Sequence, residues 1–332
     1  MSILNQLRDL IQDDIGGRGL RTDPANNLIT ACPDDFRLAC QSLAEHPQPG
    51  LAIVTGFFIP TATPPAGETD GPLGALFLAR ALVPLGIPVV LITDDFCVRA
   101  LEAGLAECGL RKQVPVVTLP TPAQASAMSD VEYWQYFDDR KGIATLTHLL
   151  AIERVGPNHT HDRCHTMRGR DITDLMSPVH RLFEAISEPE ALAKENGETS
   201  LTLQARTNIT TLGIGDGGNE IGMGRIPRDI IARNIANGGL IACRIPTQHL
   251  IVAGVSNWGA YALAAGVGHL RGKTLDPGLF DPTREQQILQ LMVDEGPLVD
   301  GVVGKPSVSV DGLTWEQYIA VLTKIGAIMK SH

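Results

Sequence analysis

The stretch LAIVTGFFI, residues 51–59, is a short apolar run of the buried-strand type, and the pattern of the next sixty residues decides the fold class. A Pro/Gly/Thr loop leads into the helical pattern GPLGALFLARALVPLG (71–86), then into PVVLITDD (88–95), a helix near 96–107 and VPVVTLP (114–120). Strand, helix, strand, helix, strand predicts a parallel sheet with right-handed crossovers. Two more runs, THLLAIER (147–154) and ITTLGIGD (209–216), read as further buried strands that end on polar residues. Helices are expected over 175–187, 226–237, 257–269, 283–294 and 313–329. The fold class is therefore α/β, a mostly parallel, Rossmann-like three-layer sheet with helices on both faces. One continuous unit is expected, with a helical segment over 1–48 and an α/β core over 49–332.

Composition narrows the function. With 332 residues, 44% hydrophobic and 19% charged, the chain can bury a sizeable core. A formal charge of -10 and no basic run argue against nucleic acid or an anionic membrane as partner. Leu73 to Thr93 is nearly apolar, but Arg80, Pro84, Gly86 and Pro88 divide it into helix, turn and strand. Ile3, Leu4, Leu7, Leu10 and Ile11 share one helix face among three acids, unlike a signal peptide. Six scattered cysteines without a C-x-x-C pair fit reduced thiols and a cytoplasmic chain. The polar segment 188–200 reads as a linker or an exposed helix end. Homo-oligomerisation stays open.

In open α/β sheets ligands bind beyond the carboxyl ends of the strands. That rule selects Thr55 and Gly56, Asp94 and Asp95, Glu153 and Arg154, and Asp216 as candidates, with Asp70 expected in the same cleft. The densest signal is GIGDGGNEIGMG (213–224), six glycines around Asp216, Asn219 and Glu220. Gly213, Gly215 and Gly218 satisfy G-x-G-x-x-G, but Gly222, Gly224 and Pro227 interrupt the helix a dinucleotide site needs. The next apolar stretch, GGLIACRI, carries Arg244 in place of an acid. NAD is therefore not expected. Instead the amides of Gly217 and Gly218 suit an anionic oxygen, and the carboxylates of Asp216 and Glu220 suit a substrate amine or a divalent cation such as Mg²⁺, with Asp94 as a further ligand. A structural corner, with Asp216 capping a helix, remains the alternative.

GETDGPLGA (67–75), MRGRDI (167–172), GIGDGGNEIGMG, VAGVSNWGAYALA (252–264) and DGVVGKPSVSVDGL (300–313) together resemble the signature stretches of the D-glutamate cyclase family, specifically its C-terminal domain. The resemblance implies a hydro-lyase converting D-glutamate to 5-oxo-D-proline and water, with a small acidic amino acid as substrate. In the animal enzymes a separate N-terminal domain precedes this one. NHTHDRCHTMRGRDI (158–172) departs from the family pattern, with His159, His161, Cys164 and His165 where the family tends to have a glycine and tyrosines; those four side chains have zinc-ligand chemistry.

The implied reaction needs a base for the α-ammonium and donors that make the γ-carboxylate electrophilic. Asp216 and Glu220 are the expected catalytic pair. Arg168, Arg170 or Arg244 is suited to grip a carboxylate, Arg244 best of the three because an apolar strand tolerates a charge only when it is paired. Asn257, Trp258 and Lys305 are further candidate ligand contacts. A non-catalytic binding domain for acidic amino acids and a nucleotide-dependent oxidoreductase stay open as alternatives.

Overall fold

The structure is a computed structural model that describes residues 2–188 and 206–331; most of the polar segment 188–200 lies outside them. In chain order the strands are β1 (Leu51–Thr55), β2 (Phe58–Ile59), β3 (Ala66–Gly67), β4 (Val89–Thr93), β5 (Val116–Thr118), β6 (His148–Ile152), β7 (Thr210–Gly215) and β8 (His249–Val252). Six of them form one parallel sheet in the order β5-β4-β1-β6-β7-β8, while β2 and β3 pair antiparallel as a small ribbon. The first apolar run is thus two strands. Gly56 separates them at φ 104°, and a Cβ there would lie 2.8 Å from Thr93 Oγ1.

Alternation along each strand sorts the core to two sides, because successive side chains point to opposite faces. Leu51 and Ile53 of β1, Val89 and Leu91 of β4 and Leu150 and Ile152 of β6 join one apolar cluster. Ala52 and Val54, Val90 and Ile92, and Leu149 and Ala151 join the other. The first face is covered by the helices Ile3–Ile11, Asp35–Glu45, Pro72–Leu82, Asp95–Glu107, Ser256–Leu270, Pro282–Glu295 and Trp315–Lys330. The second carries Asp130–Asp138, His180–Ser187 and Arg228–Asn234. This is the expected three-layer α/β arrangement.

Connections run from β1 outward to β4 and β5 on one side, and from β6 outward to β7 and β8 on the other. The reversal falls between β1 and β6, and a crevice at such a point is where open α/β sheets bind ligands. Thr55 and Glu153 stand at its two sides. The helix expected over 226–237 ends at Asn234, and the GGLIACRI segment holds a short helix, Gly238–Ile241, followed by irregular chain rather than a strand.

Candidate functional site

Beyond the β1/β6 crevice lies a chamber of carboxylates. Glu153 follows β6 directly and takes φ 44°, a left-handed conformation that is strained in a residue other than glycine. Its Oε2 accepts a 2.6 Å hydrogen bond from Ser256 Oγ. Asp70, in the turn before the helix Pro72–Leu82, accepts the amides of Ser256 and Asn257 at 2.9 and 2.8 Å and so sits on the N-terminus of the helix Ser256–Leu270. Asp216 follows β7 and is fully buried. Ligand atoms of Asp70, Glu153 and Asp216 all lie within 4.8 Å of one another, the single group of His, Cys, Asp and Glu with that spacing among the described residues.

A guanidinium faces these acids. Arg18 Nη1 lies 3.2 Å from Asp216 Oδ1, and Nη2 pairs with Asp311. Neither Asp216 oxygen has a hydrogen-bond partner, and the buried Thr55 Oγ1, Asn219 Oδ1 and Asp311 Oδ2 share that state. Arg18, Glu68, Glu153, Asn219 and Asp311 line a cavity of about 120 Å³, with Phe57, Ile59 and Met167 as apolar wall and Arg168 and Arg170 at the exposed lip.

Burial dominates the proton affinities. Loss of water pushes Glu68, Glu153 and Asp216 well above the usual carboxylate range; neighbouring carboxylates reinforce this, and Arg18 opposes it at all three. Burial likewise pushes Asp70 up to about 8, with Asp311 adding to it. Burial works against the Arg18 charge too, but Asp216, Asp311, Glu153 and Asp70 outweigh it and hold its pKa above the ordinary value. Near neutral pH the chamber therefore carries both protons and one fixed cation.

Several sequence-predicted residues do other work. Glu220 does not meet Asp216 as a paired acid; its Oε1 accepts the amides of Asp216 and Gly217 at 3.2 and 2.7 Å, and its Oε2 that of Gly218 at 2.8 Å. The Gly217 and Gly218 amides are therefore engaged within the turn, because a buried carboxylate seeks the nearest N–H donors. Asn219 donates to the His165 carbonyl at 2.9 Å. Asp94 is no part of the acid group: it pairs with buried Arg154 and accepts the Ser177 amide at 2.7 Å. Arg154 also donates to the Gly56 and Ser177 carbonyls at 3.0 and 2.9 Å, bracing the chain on both sides of the crevice.

Arg244 is half-exposed and paired with Asp162 at 2.6 Å and Glu184 at 2.5 Å, away from the cavity, since outside a strand it can reach acids at the surface. Lys305 is exposed on the loop after Asp300 and does not line the cavity. Asn257 positions chain: its Oδ1 accepts the Gly71 and Gly74 amides at 2.9 and 2.7 Å. Trp258 is buried in the core, its indole donating to the Tyr318 carbonyl at 3.0 Å. His159, His161, Cys164 and His165 form no group of metal-ligand spacing among the described residues.

Arg18, Glu68 and Asp311 were not singled out from the sequence. Their signal was glycine: Arg18 sits in GGRG, Glu68 follows Gly67 and Asp311 precedes Gly312. Asp14 accepts the Arg18, Gly19 and Leu20 amides at 2.8, 3.0 and 2.9 Å and so folds the loop that presents the guanidinium.

The carboxylate chamber thus lies at the switch point of a parallel α/β sheet, where folds of this class bind their ligands. The family described as D-glutamate cyclase-like, C-terminal, matches residues 7–326, and the chain belongs to that family. It is similar to human mitochondrial D-glutamate cyclase, with 30% identity over 337 residues, covering 93% of this chain and 49% of that protein. The chain thus spans about half the length of that curated relative.

Proposed function

We propose that the chain is a hydro-lyase that closes D-glutamate to 5-oxo-D-proline with release of water. The observation that carries the reading is the burial of Glu153, Asp216 and Asp70 within reach of one another, the first two at strand ends and all three with proton affinities raised by lost solvation. In the reaction the nitrogen bonds to the γ-carbonyl carbon and one C–O bond breaks. The ammonium gives up two protons and the departing oxygen takes both, so no outside oxidant or co-reactant is needed. Acids whose proton affinity is raised by burial suit both transfers, taking protons from the nitrogen and giving them to the departing oxygen.

The substrate's ammonium fits among Glu153, Asp216 and Asp70, where a cation relieves the mutual repulsion of the acids. Arg168 and Arg170 at the lip are placed to meet a carboxylate, and Asn219 Oδ1 offers an acceptor to an N–H group. The apolar wall of Phe57, Ile59 and Met167 limits water around the reacting atoms.

In place of the ammonium, a hard divalent cation such as Mg²⁺ suits the same all-oxygen donor set, and the unpartnered Asp216 oxygens fit a ligand role beside Asp70 and Glu153. When bound, such an ion supplies Lewis-acid polarisation of a carboxylate.

Incubating the purified protein with D-glutamate, L-glutamate or 5-oxo-D-proline, with and without Mg²⁺, and resolving products by chiral chromatography tests the reading. Formation of 5-oxo-D-proline from D-glutamate is expected. Binding of either enantiomer without product would make the chain an acidic amino-acid-binding unit instead.

A further inference from the structure

Five buried carboxylates, those of Glu68, Asp70, Glu153, Asp216 and Asp311, interact with the Arg18 charge. Among the described residues the guanidinium is held by ion pairs to Asp216 and Asp311, and the Asp216 contact lacks hydrogen-bond alignment, since both Asp216 oxygens remain without a partner. A resident cation that balances the site without saturating its acceptors is a tethered counter-ion. Asp14 pins the backbone of Arg18, so withdrawal is a rotation of its side chain, which keeps 15% of its surface exposed. Ile15, Gly16 and Gly17 are exposed; Gly17 takes φ 63° with no heavy atom within 4 Å of a built Cβ, while Gly19 at φ 98° and buried Leu20 anchor the far end.

We propose that Arg18 is an intramolecular competitor for the cation site formed by Asp70, Glu153 and Asp216, and so sets that site's affinity for a divalent cation or a substrate ammonium. A free cation drawn to Asp216 meets a guanidinium already beside it, and two positive charges a few ångströms apart at one carboxylate repel in a water-poor chamber. Entry of the free cation therefore shifts Arg18 toward Asp311 or the lip. The apparent dissociation constant is the intrinsic one divided by the fraction of molecules whose Arg18 is withdrawn. The same fraction weakens the binding of every free cation, so a weakly bound monovalent ion is left with less occupancy at its solution concentration. The inference rests on the chamber being a cation site, and not on the cyclisation itself.

Calorimetric titration of the purified full chain with Mg²⁺ tests it, comparing wild type, Arg18→Gln and Arg18→Lys. Arg18→Gln is expected to bind Mg²⁺ roughly tenfold more tightly or better, the penalty of a site mostly filled by its own side chain. Arg18→Lys keeps the charge but loses the planar fork that spans two carboxylates, so its affinity is expected to lie between the other two. Equal or weaker binding in both variants overturns the proposal. Tighter binding in Arg18→Gln with wild-type binding in Arg18→Lys supports it, because the retained lysine charge then competes for the site as the arginine does. Should Arg18→Gln fail to fold, Arg18→Lys against wild type decides. Absence of D-glutamate turnover in wild type would sink the lyase reading and leave these titrations standing.

Discussion

Arg18 Nη1 stands 3.2 Å from Asp216 Oδ1, so a loop from the N-terminal segment closes a chamber that Glu153 and Asp216 enter from the ends of β6 and β7. Asp216 is the acid in this pair with both oxygens unpartnered by hydrogen bonds, which leaves it available to a substrate proton or a cation. Replacing it by Asn keeps the shape and removes charge and basicity. Turnover of D-glutamate is expected to fall by roughly 10²-fold or more, the scale of a positioned general base. Stability should hold or fall, since Arg18 loses one of its two ion-pair partners. Full activity in Asp216→Asn would take proton transfer away from this residue.

Glu220 should respond in the opposite way. Its carboxylate accepts three successive amides and thereby folds the glycine turn. Glu220→Gln sets an NH₂ group against donors, and the loss is expected to be roughly 2 kcal/mol, as for hydrogen bonds to a charged acceptor. Urea denaturation measures it. A variant as stable as wild type would mean that the turn does not depend on this acceptor.

The contrast between these acids marks how far the sequence can be read. Strand ends are legible because apolar runs stop abruptly, and that rule alone reached Thr55, Glu153 and Asp216. Partner choice is not legible. Whether Glu220 meets a ligand or its own backbone depends on a turn in which Gly218 takes φ 92°, and nothing in the spacing of Asp216 and Glu220 fixes that. Asp94 ends an apolar run as convincingly as Asp216 does, yet the turn after β6, two strands away in the sheet, brings Arg154 to it. Arg18 was hidden for a different reason: it lies on no strand, and its place is set by contacts far along the chain. The single glycine-flanked arginine in IGGRGL was the trace it left.

Arginine substitutions separate lip from periphery. Arg244 is paired with two partly exposed acids outside the cavity, and such pairs contribute about 0–1 kcal/mol. Arg244→Ala is expected to leave KM within about twofold, whereas Arg168→Ala or Arg170→Ala raises it roughly tenfold through loss of a charge-assisted contact. A large KM change in Arg244→Ala alone would reverse the assignment.

At the other end of the sheet, His148 opens β6 as a buried residue, its Nδ1 2.7 Å from Thr147 Oγ1 and its Nε2 without a partner. Burial pushes its pKa down to about 4, and the nearby His46 and His249 add to that. The folded value thus lies below the unfolded one near 6.5. Above pH 6.5 the ring is neutral in both states and its share of stability is complete. Between 6.5 and about 4 the unfolded chain takes up a proton that the folded chain refuses, so stability falls as pH falls. Asp70, raised to about 8 by burial, runs the other way and loses stability as pH rises from the ordinary carboxylate range through 8. The diagnostic is therefore a difference between proteins at acid pH. His148→Phe keeps a ring against His46, which packs edge-on 5.7 Å away, and removes the titrating group. Urea denaturation at pH 7 and pH 4.5 is expected to show a smaller loss of stability in His148→Phe than in wild type, by on the order of 2 kcal/mol. Equal losses in the two proteins would mean that the His148 ring accepts a proton in the folded state as readily as in the unfolded one.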